Sequence, residues 1–153
     1  MPYSPSGQPY AQPADLATFG LSQQALSHPS IGLSVQQQHL LAASQEVDSY
    51  LRNRCVLPLQ RWGADIIKAV CGLAAATLVS VRGFDPTTDG VWLAREKVAR
   101  DWLTDIREGK AFPDVQDSSG AAQGLAAPIS TPQLSTPTVI NLAGTSQRGT
   151  QRR

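Results

Sequence analysis

The most constraining feature of the chain is a long apolar stretch between residues 58 and 81. Along one side of the helix that it predicts lie Leu59, Trp62, Ile66, Val70, Leu73, Ala74, Thr77 and Val81. The opposite side is also largely apolar, through Ile67, Cys71 and Leu78. A helix that is apolar most of the way round is either central in its domain or shared with a neighbouring subunit. The run from Ala69 to Val81 is too short to span a bilayer, so we expect a buried helix.

Two helices are predicted before this stretch. Residues 13–20 should form a short helix that Gly20 ends. A long helix should begin at Ser34, with Gln37 in the capping-box position three residues later, and end near Arg54. Pro58 then separates this helix from the next, because proline cannot continue the backbone hydrogen bonding.

A third long helix is predicted over residues 91–108, with Asp89 as its cap and Gly109 after its end. Its inward face should consist of Trp92, Ala99, Trp102, Leu103 and Ile106, with Val98 beside them. No segment of this core alternates convincingly like a strand, and only residues 136–144 have a strand-like composition. The sequence therefore predicts an all-α fold, a small bundle of three long helices and a short N-terminal helix.

Both ends of the chain are poor in large apolar residues, which sets the predicted domain boundaries. Residues 1–13 are a mixture of Pro, Gln, Ser and Tyr, and residues 112–153 are rich in Ser, Thr, Gly, Pro and Ala. Such compositions cannot bury enough surface to offset the ordering of their backbone. We therefore expect an N-terminal arm over 1–13, a helical domain over 14–111 and an extended C-terminal arm over 112–153, with a short strand in the latter.

The residue types do not suggest catalysis or cofactor binding. His28 and His39 form no metal-ligand set with nearby cysteines or carboxylates, and Cys55 and Cys71 have the character of buried, reduced thiols. Gly-rich phosphate loops and nucleophile motifs are absent. The N-terminus lacks the order of a signal peptide, so synthesis in the cytoplasm is expected. We therefore expect a protein that is not an enzyme and carries no metal or cofactor.

Four stretches in order resemble a known family. They are DLATFG at residues 15–20, EVDSYLRNRCVLPL at 46–59, RWGADI at 61–66 and VARDWLTDIREGK at 98–110. Together they resemble the Mu-like phage and prophage family long labelled only as a domain of unknown function. Cys55 stands where that family usually has an aromatic residue.

This resemblance implies a virion protein of the phage neck, similar to the head-to-tail connector adaptors of tailed phages. Such adaptors form a ring, expected to be dodecameric, beneath the portal protein. The ring supports the next neck protein, a stopper or a protein on the tail-terminator side, and DNA passes through its lumen. The implied partners are therefore the portal, that next neck protein, other copies of this chain and packaged DNA through non-specific contacts, with no membrane.

Two sets of residues are candidates for these contacts. The candidates for core packing or subunit contact are Trp62, Ile66, Val70, Leu73, Trp92, Trp102, Leu103 and Ile106. The candidates for a portal-contacting arm are Val139, Ile140, Leu142, Arg148, Arg152 and Arg153. Deleting residues 117–153 should then abolish attachment to portal rings and leave a folded helical core.

Two other function classes stay open from the sequence alone. A small helical DNA-binding, packaging or head-completion protein could group its basic residues on one face, although acidic residues interleave with them. Steeply salt-dependent binding to duplex DNA would favour that class. A small enzyme or chaperone-like factor is the third class, and the sequence offers no site for it.

Overall fold

The computed structural model describes residues 8–119 and 122–123. The helices of this part are α1 (Pro13–Phe19), α2 (Gln23–Leu26), α3 (Leu33–Leu51), α4 (Ala64–Arg82) and α5 (Pro86–Glu108). Three two-residue strands, β1 (Arg61–Trp62), β2 (Val115–Gln116) and β3 (Ala122–Gln123), pair antiparallel in the order β1-β2-β3. The predicted all-α bundle of three long helices and a short N-terminal helix is confirmed.

Helix α4 is the centre of the bundle. It packs against α1, α3 and α5. Ile66, Val70 and Ala74 are fully buried on one side, and Cys71 and Leu78 are fully buried on another. The helix is long and apolar enough to span a membrane by length and composition, yet 61% of its apolar 18-residue window is buried within the protein. The central position that the sequence allowed for this helix accounts for its composition.

The start of α4 differs from the prediction. The helix begins at Ala64, and Trp62 lies in β1, where it pairs with Val115. The Leu57-Pro58 peptide bond is cis, and the Gln60 and Gly63 N–H groups donate to carbonyl oxygens of the 114–116 segment. These hydrogen bonds come from residues about fifty positions away, so helical spacing alone could not indicate them.

The caps of the other two long helices also differ from the prediction. Helix α3 begins after Gly32, which has no side-chain cap, so the expected capping box at Ser34 is not formed. The Gln36 side chain instead donates to the Ile31 carbonyl, which fixes the chain just before the helix. Helix α5 begins one turn early, because Asp85 accepts a hydrogen bond from the Thr87 N–H.

Asp89, expected to cap α5, lies inside the helix and holds the α4–α5 turn. Both of its carboxylate oxygens accept hydrogen bonds from Arg82 Nη2, at 2.6 and 2.5 Å, and one also accepts from the Asp85 N–H at 2.9 Å. Asp89 is 2% exposed. The hydrogen bonds from Arg82, followed by that from the Asp85 backbone, lower the pKa of the Asp89 carboxyl.

Replacing Asp89 with asparagine should therefore lower the melting temperature at pH 7. Because the folded-state pKa lies below the unfolded value of about 3.9, the stabilisation is complete above that value. It is lost as the pH falls through the folded pKa. Thermal unfolding of wild type and Asp89→Asn should be measured from pH 7 to pH 2. The difference between their melting temperatures should disappear below about pH 4. A difference that is independent of pH would contradict this account of the turn.

The packed part of the chain extends beyond both predicted domain boundaries. Tyr10 is 3% exposed and Ala11 is 1% exposed, although both were assigned to the N-terminal arm. At the other end Val115 is 1% exposed, and Asp117 accepts a hydrogen bond from the Val56 N–H at 3.0 Å. Each segment is held by packing and hydrogen bonds with distant residues, which a composition average cannot reveal.

Gly109 ends α5 as predicted, in the left-handed conformation with φ +79°. An added Cβ would also meet the guanidinium of Arg54. Gly109→Ala should therefore lower the free energy of unfolding by about 1–2 kcal/mol, measured by urea denaturation. The matched control is Gly90→Ala inside α5, where an added Cβ meets nothing within 4 Å. There alanine should raise stability by about 0.5–1 kcal/mol, and effects of the same sign would contradict the assignment.

Candidate subunit-contact site

An apolar groove opens on the surface between α1, α4 and α5. Its volume is about 610 Å³. Helix α1 contributes Thr18 and Phe19, and α4 contributes Asp65, Lys68, Ala69 and Gly72. Helix α5 contributes Val91, Ala94, Arg95, Val98, Ala99 and Trp102. We call this set of residues the α1–α4–α5 groove.

Small residues form the floor of the groove. A Cβ placed on Gly72 would lie 3.5 Å from the Ala99 Cβ and 3.6 Å from the Arg95 carbonyl oxygen, so the two helices approach closely here. Ala69 and Ala99 are buried. Because α4 and α5 lie so close together here, the larger side chains of α5 lie along the rim of the groove.

The rim of the groove is apolar and open to solvent. Val98 is 67% exposed and Val91 is 50% exposed. Both stand on a helix whose other face is fully buried at Leu103 and Ile106. Large contiguous apolar patches are rare on the surface of monomeric proteins, and those that occur commonly mark interaction sites.

Two cations border the apolar surface without a carboxylate partner in the described part of the chain. Lys68 Nζ lies 5.6 Å from the centre of the Phe19 ring, and Arg95 lies 4.7 Å from the Trp92 ring. Arg95 Nη1 also donates to the Gly20 carbonyl at 3.1 Å. Asp65 is the one carboxylate that lines the groove, and its two oxygens accept from backbone N–H groups. The groove therefore carries a small positive excess.

The structure separates the candidate residues for core or subunit contact into two groups. Five are buried in the bundle and cannot face a partner: Ile66, Val70, Leu73, Leu103 and Ile106. Trp62 is half-buried, and its Nε1–H donates to the Tyr10 carbonyl at 2.8 Å. Trp92 is half-buried beneath Arg95, and Trp102 lines the groove. The arm candidates Val139, Ile140, Leu142, Arg148, Arg152 and Arg153 lie outside the described residues.

The sequence reasoning missed the rim of the groove. Val98 was expected to point inward beside the core face, and it is instead exposed. A signal was available, because Val91, Arg95, Val98 and Trp102 recur at helical spacing. They form a second stripe on α5, beside the buried stripe that the prediction used.

A buried polar cluster joins the N-terminal segment to the bundle. The Tyr10 hydroxyl donates to Asp48, and the Tyr10 N–H donates to Ser44 Oγ at 2.9 Å. The Tyr10 and Trp62 rings meet edge to face with centroids 4.9 Å apart. Burial, and then the hydrogen bond to Asp48, raises the pKa of Tyr10, and burial also raises the pKa of Asp48. The cluster therefore holds residues 8–12 in place and offers no open site.

The described part of the chain shows no cluster that suggests chemistry. It contains no group of three or more His, Cys, Asp or Glu residues that could hold a metal ion. Cys55 and Cys71 are buried with free thiols, and burial raises the pKa of Cys71 to about 12. A thiol with so high a pKa is a poor nucleophile at neutral pH.

Fold and surface together define a small helical protein with an exposed apolar groove between three helices. The chain belongs to the bacteriophage Mu Gp36 family, whose profile matches residues 10–130. The match includes all four stretches that carried the resemblance, so the predicted Mu-like phage family is confirmed. The chain is thus a bacteriophage protein, and the family supports a structural component of the virion. No match was found among curated proteins.

Proposed function

We propose that this chain is the adaptor of a phage head-to-tail connector. Its subunits form a dodecameric ring between the portal protein and the next neck protein, and DNA passes through the lumen. The protein is made in the host cytoplasm, acts in the neck of the virion, and has a structural role without catalysis or cofactor. The observation that carries the proposal is a solvent-exposed apolar groove on a small member of a phage family.

A ring of identical subunits needs contacts between two different surfaces, repeated until they close. The α1–α4–α5 groove is suited to one side of such a contact, because three packed helices hold its walls in place. Its exposed valines can be buried against a partner, while the core residues behind them remain inside the subunit. Rigid walls reduce the ordering that association requires.

The charge distribution supports a separate role for the C-terminal segment. Residues 124–153 contain three arginines and no Asp, Glu or Lys. All twelve acidic residues and the other ten basic residues lie within residues 1–123. The segment therefore carries a charge of +3 and the rest carries −2. This separation supports a C-terminal arm that attaches to an acidic surface of the portal or to DNA.

A truncation tests this attachment, and the structure sets where it should begin. Deleting residues 117–153 would remove the acceptor of the Val56 N–H and the strand that pairs with β2, so a deletion that begins after β3 isolates the loss of the arm more cleanly. Deletion of residues 124–153 keeps all three strands.

The chain lacking residues 124–153 should fold with wild-type helix content by circular dichroism and fail to co-sediment with portal rings of the same phage. The full chain should co-sediment at one copy per portal subunit. A full-length variant with Arg148, Arg152 and Arg153 replaced by alanine keeps the length of the arm and removes its positive charge. This variant should bind portal rings more weakly than the wild type, with a larger difference at low salt than at high salt. Unchanged co-sedimentation of the truncated chain would contradict the role of the arm.

The alternative is a DNA-binding or head-completion protein, and the ion pairs weigh against its DNA-binding form. Arg100 pairs with Glu46 and Glu96, and Lys97 pairs with Asp101 at 2.6 Å. These cations are already neutralised, whereas phosphate-tracking surfaces present theirs to the duplex. Fluorescence anisotropy with duplex DNA across a salt series distinguishes the DNA-binding function from the adaptor function. Specific, steeply salt-dependent binding by the chain without its arm would favour the alternative.

A further inference from the structure

We propose that Phe112 of one subunit inserts into the α1–α4–α5 groove of the next subunit. The inference rests on the proposed ring and names the two surfaces that build it. Phe112 is 70% exposed, which is the largest value among the large apolar side chains of the described residues. Val98 in the groove follows at 67%. The contact would cover both of these side chains at once, and burial of apolar surface is the main favourable term in protein association.

Phe112 is held in a stiff turn rather than at a loose chain end. Gly109 ends α5 three residues before it, and Pro113 fixes the backbone directly after it. The Asp114 N–H then donates to Asp65 Oδ2 at 2.9 Å, and the Asp114 carbonyl accepts from the Gly63 N–H at 2.8 Å. A side chain that is already positioned loses little conformational freedom when it binds.

The charges of the two surfaces are complementary. The Asp114 side chain is 64% exposed, and its nearest cation, Arg61 Nη2, is 3.9 Å away and 67% exposed. The groove offers Lys68 and Arg95, neither of which has a carboxylate partner in the described part of the chain. An aromatic side chain followed by a loosely paired carboxylate thus matches an apolar groove bordered by cations.

Phe112 and the groove are different surfaces of the subunit. Phe112 borders a small cavity formed with Arg54, Cys55 and Ile106, at the ends of α3 and α5. The groove lies between α1, α4 and α5 and shares no lining residue with that cavity. Because Phe112 and the groove are separate surfaces, one subunit can present Phe112 to one neighbour and its groove to another, which is the head-to-tail arrangement that can close into a ring.

The C-terminal segment is a weaker candidate for the same groove. It carries three arginines and no acidic residue, so its insertion would add positive charge beside Lys68 and Arg95. Like charges brought together at an interface disfavour association. The turn that carries Phe112 adds a carboxylate at that position instead.

Cysteine cross-linking on assembled portal complexes tests the contact. In a chain whose Cys55 is replaced with alanine, so that no native thiol lies beside position 112, Val98→Cys with Phe112→Cys should give a ladder of covalent multimers under mild oxidation, since a disulfide forms only where the two Cα atoms lie within about 7 Å. The control is Leu93→Cys with Phe112→Cys, since Leu93 is 44% exposed on the same helix and does not line the groove. We expect about tenfold more cross-linked product in the first variant than in the control.

Mixing the two single variants should give covalent dimers only, because each chain then offers one thiol to the contact. Rings that assemble without this cross-linking would overturn the contact and leave the adaptor function standing. Cross-linking of Val98→Cys to Ile140→Cys, or to the portal, in place of Phe112→Cys would likewise overturn it. Absence of any ring would overturn the adaptor function and this contact together.

Discussion

Replacing Tyr10 with alanine is expected to lower the free energy of unfolding by about 3–5 kcal/mol, the range for large buried aromatic side chains. The ring is 3% exposed and packs edge to face against Trp62. Its hydroxyl is a hydrogen-bond donor to Asp48, which is itself 3% exposed. The substitution therefore leaves a cavity and removes a partner from a buried carboxyl group, and both effects destabilise the fold.

Urea denaturation followed by circular dichroism measures this loss. Tyr10→Phe keeps the ring and removes only the hydroxyl, so it should cost less, about 1–3 kcal/mol. Phe112→Ala is the control for an exposed aromatic residue and should change stability by no more than about 0.5 kcal/mol. A Tyr10→Ala variant as stable as the wild type would mean that the packed domain begins after residue 13, as the composition predicted.

Replacing Val98 with aspartate should prevent ring assembly and leave the monomer folded. Val98 is 67% exposed in the subunit, so a carboxylate there stays hydrated and costs little stability. At a closed subunit contact the same carboxylate would lose its hydration and stand where the Phe112 ring is proposed to insert, and this loss costs several kcal/mol at each contact even with Lys68 and Arg95 nearby. A ring repeats the penalty at every interface.

Leu93→Asp is the matched control for this experiment. Leu93 is exposed on the same helix, five residues before Val98, and does not line the groove. Sedimentation of each variant with portal rings, with melting curves of the free proteins, separates assembly from folding. Equal assembly by both aspartate variants would mean that the groove does not contribute to subunit contact.

Local sequence patterns predicted the bundle well where a helix is specified by its own residues. The short helix ending at Gly20, the apolar surface of α4 and the end of α5 at Gly109 were all foreseen. Each depends on helical spacing or on a glycine at a helix end. The start of α4 was misplaced because the residues before it pair with a distant segment, as β1 does with β2. The starts of α3 and α5 were misplaced by local interactions that the pattern did not favour, such as the Asp85 cap of α5.

The candidate site was predicted only in part, for a related reason. Helical spacing shows that a face is apolar, but it does not show which of two apolar stripes finds a partner within the same chain. Leu103 and Ile106 pack inside the bundle, whereas Val98 stays exposed to solvent. Tyr10 shows the reverse case, because a single aromatic residue in a polar segment is anchored by Ser44 and Asp48, more than thirty residues away.

Electron microscopy of the full chain assembled on portal rings tests the central claim most directly. The adaptor account predicts a closed dodecameric ring on the portal, with a continuous central channel and neighbouring subunits in contact through the α1–α4–α5 groove. Particles in which the chain binds the portal as separate copies, or binds only DNA and forms no ring, would contradict it.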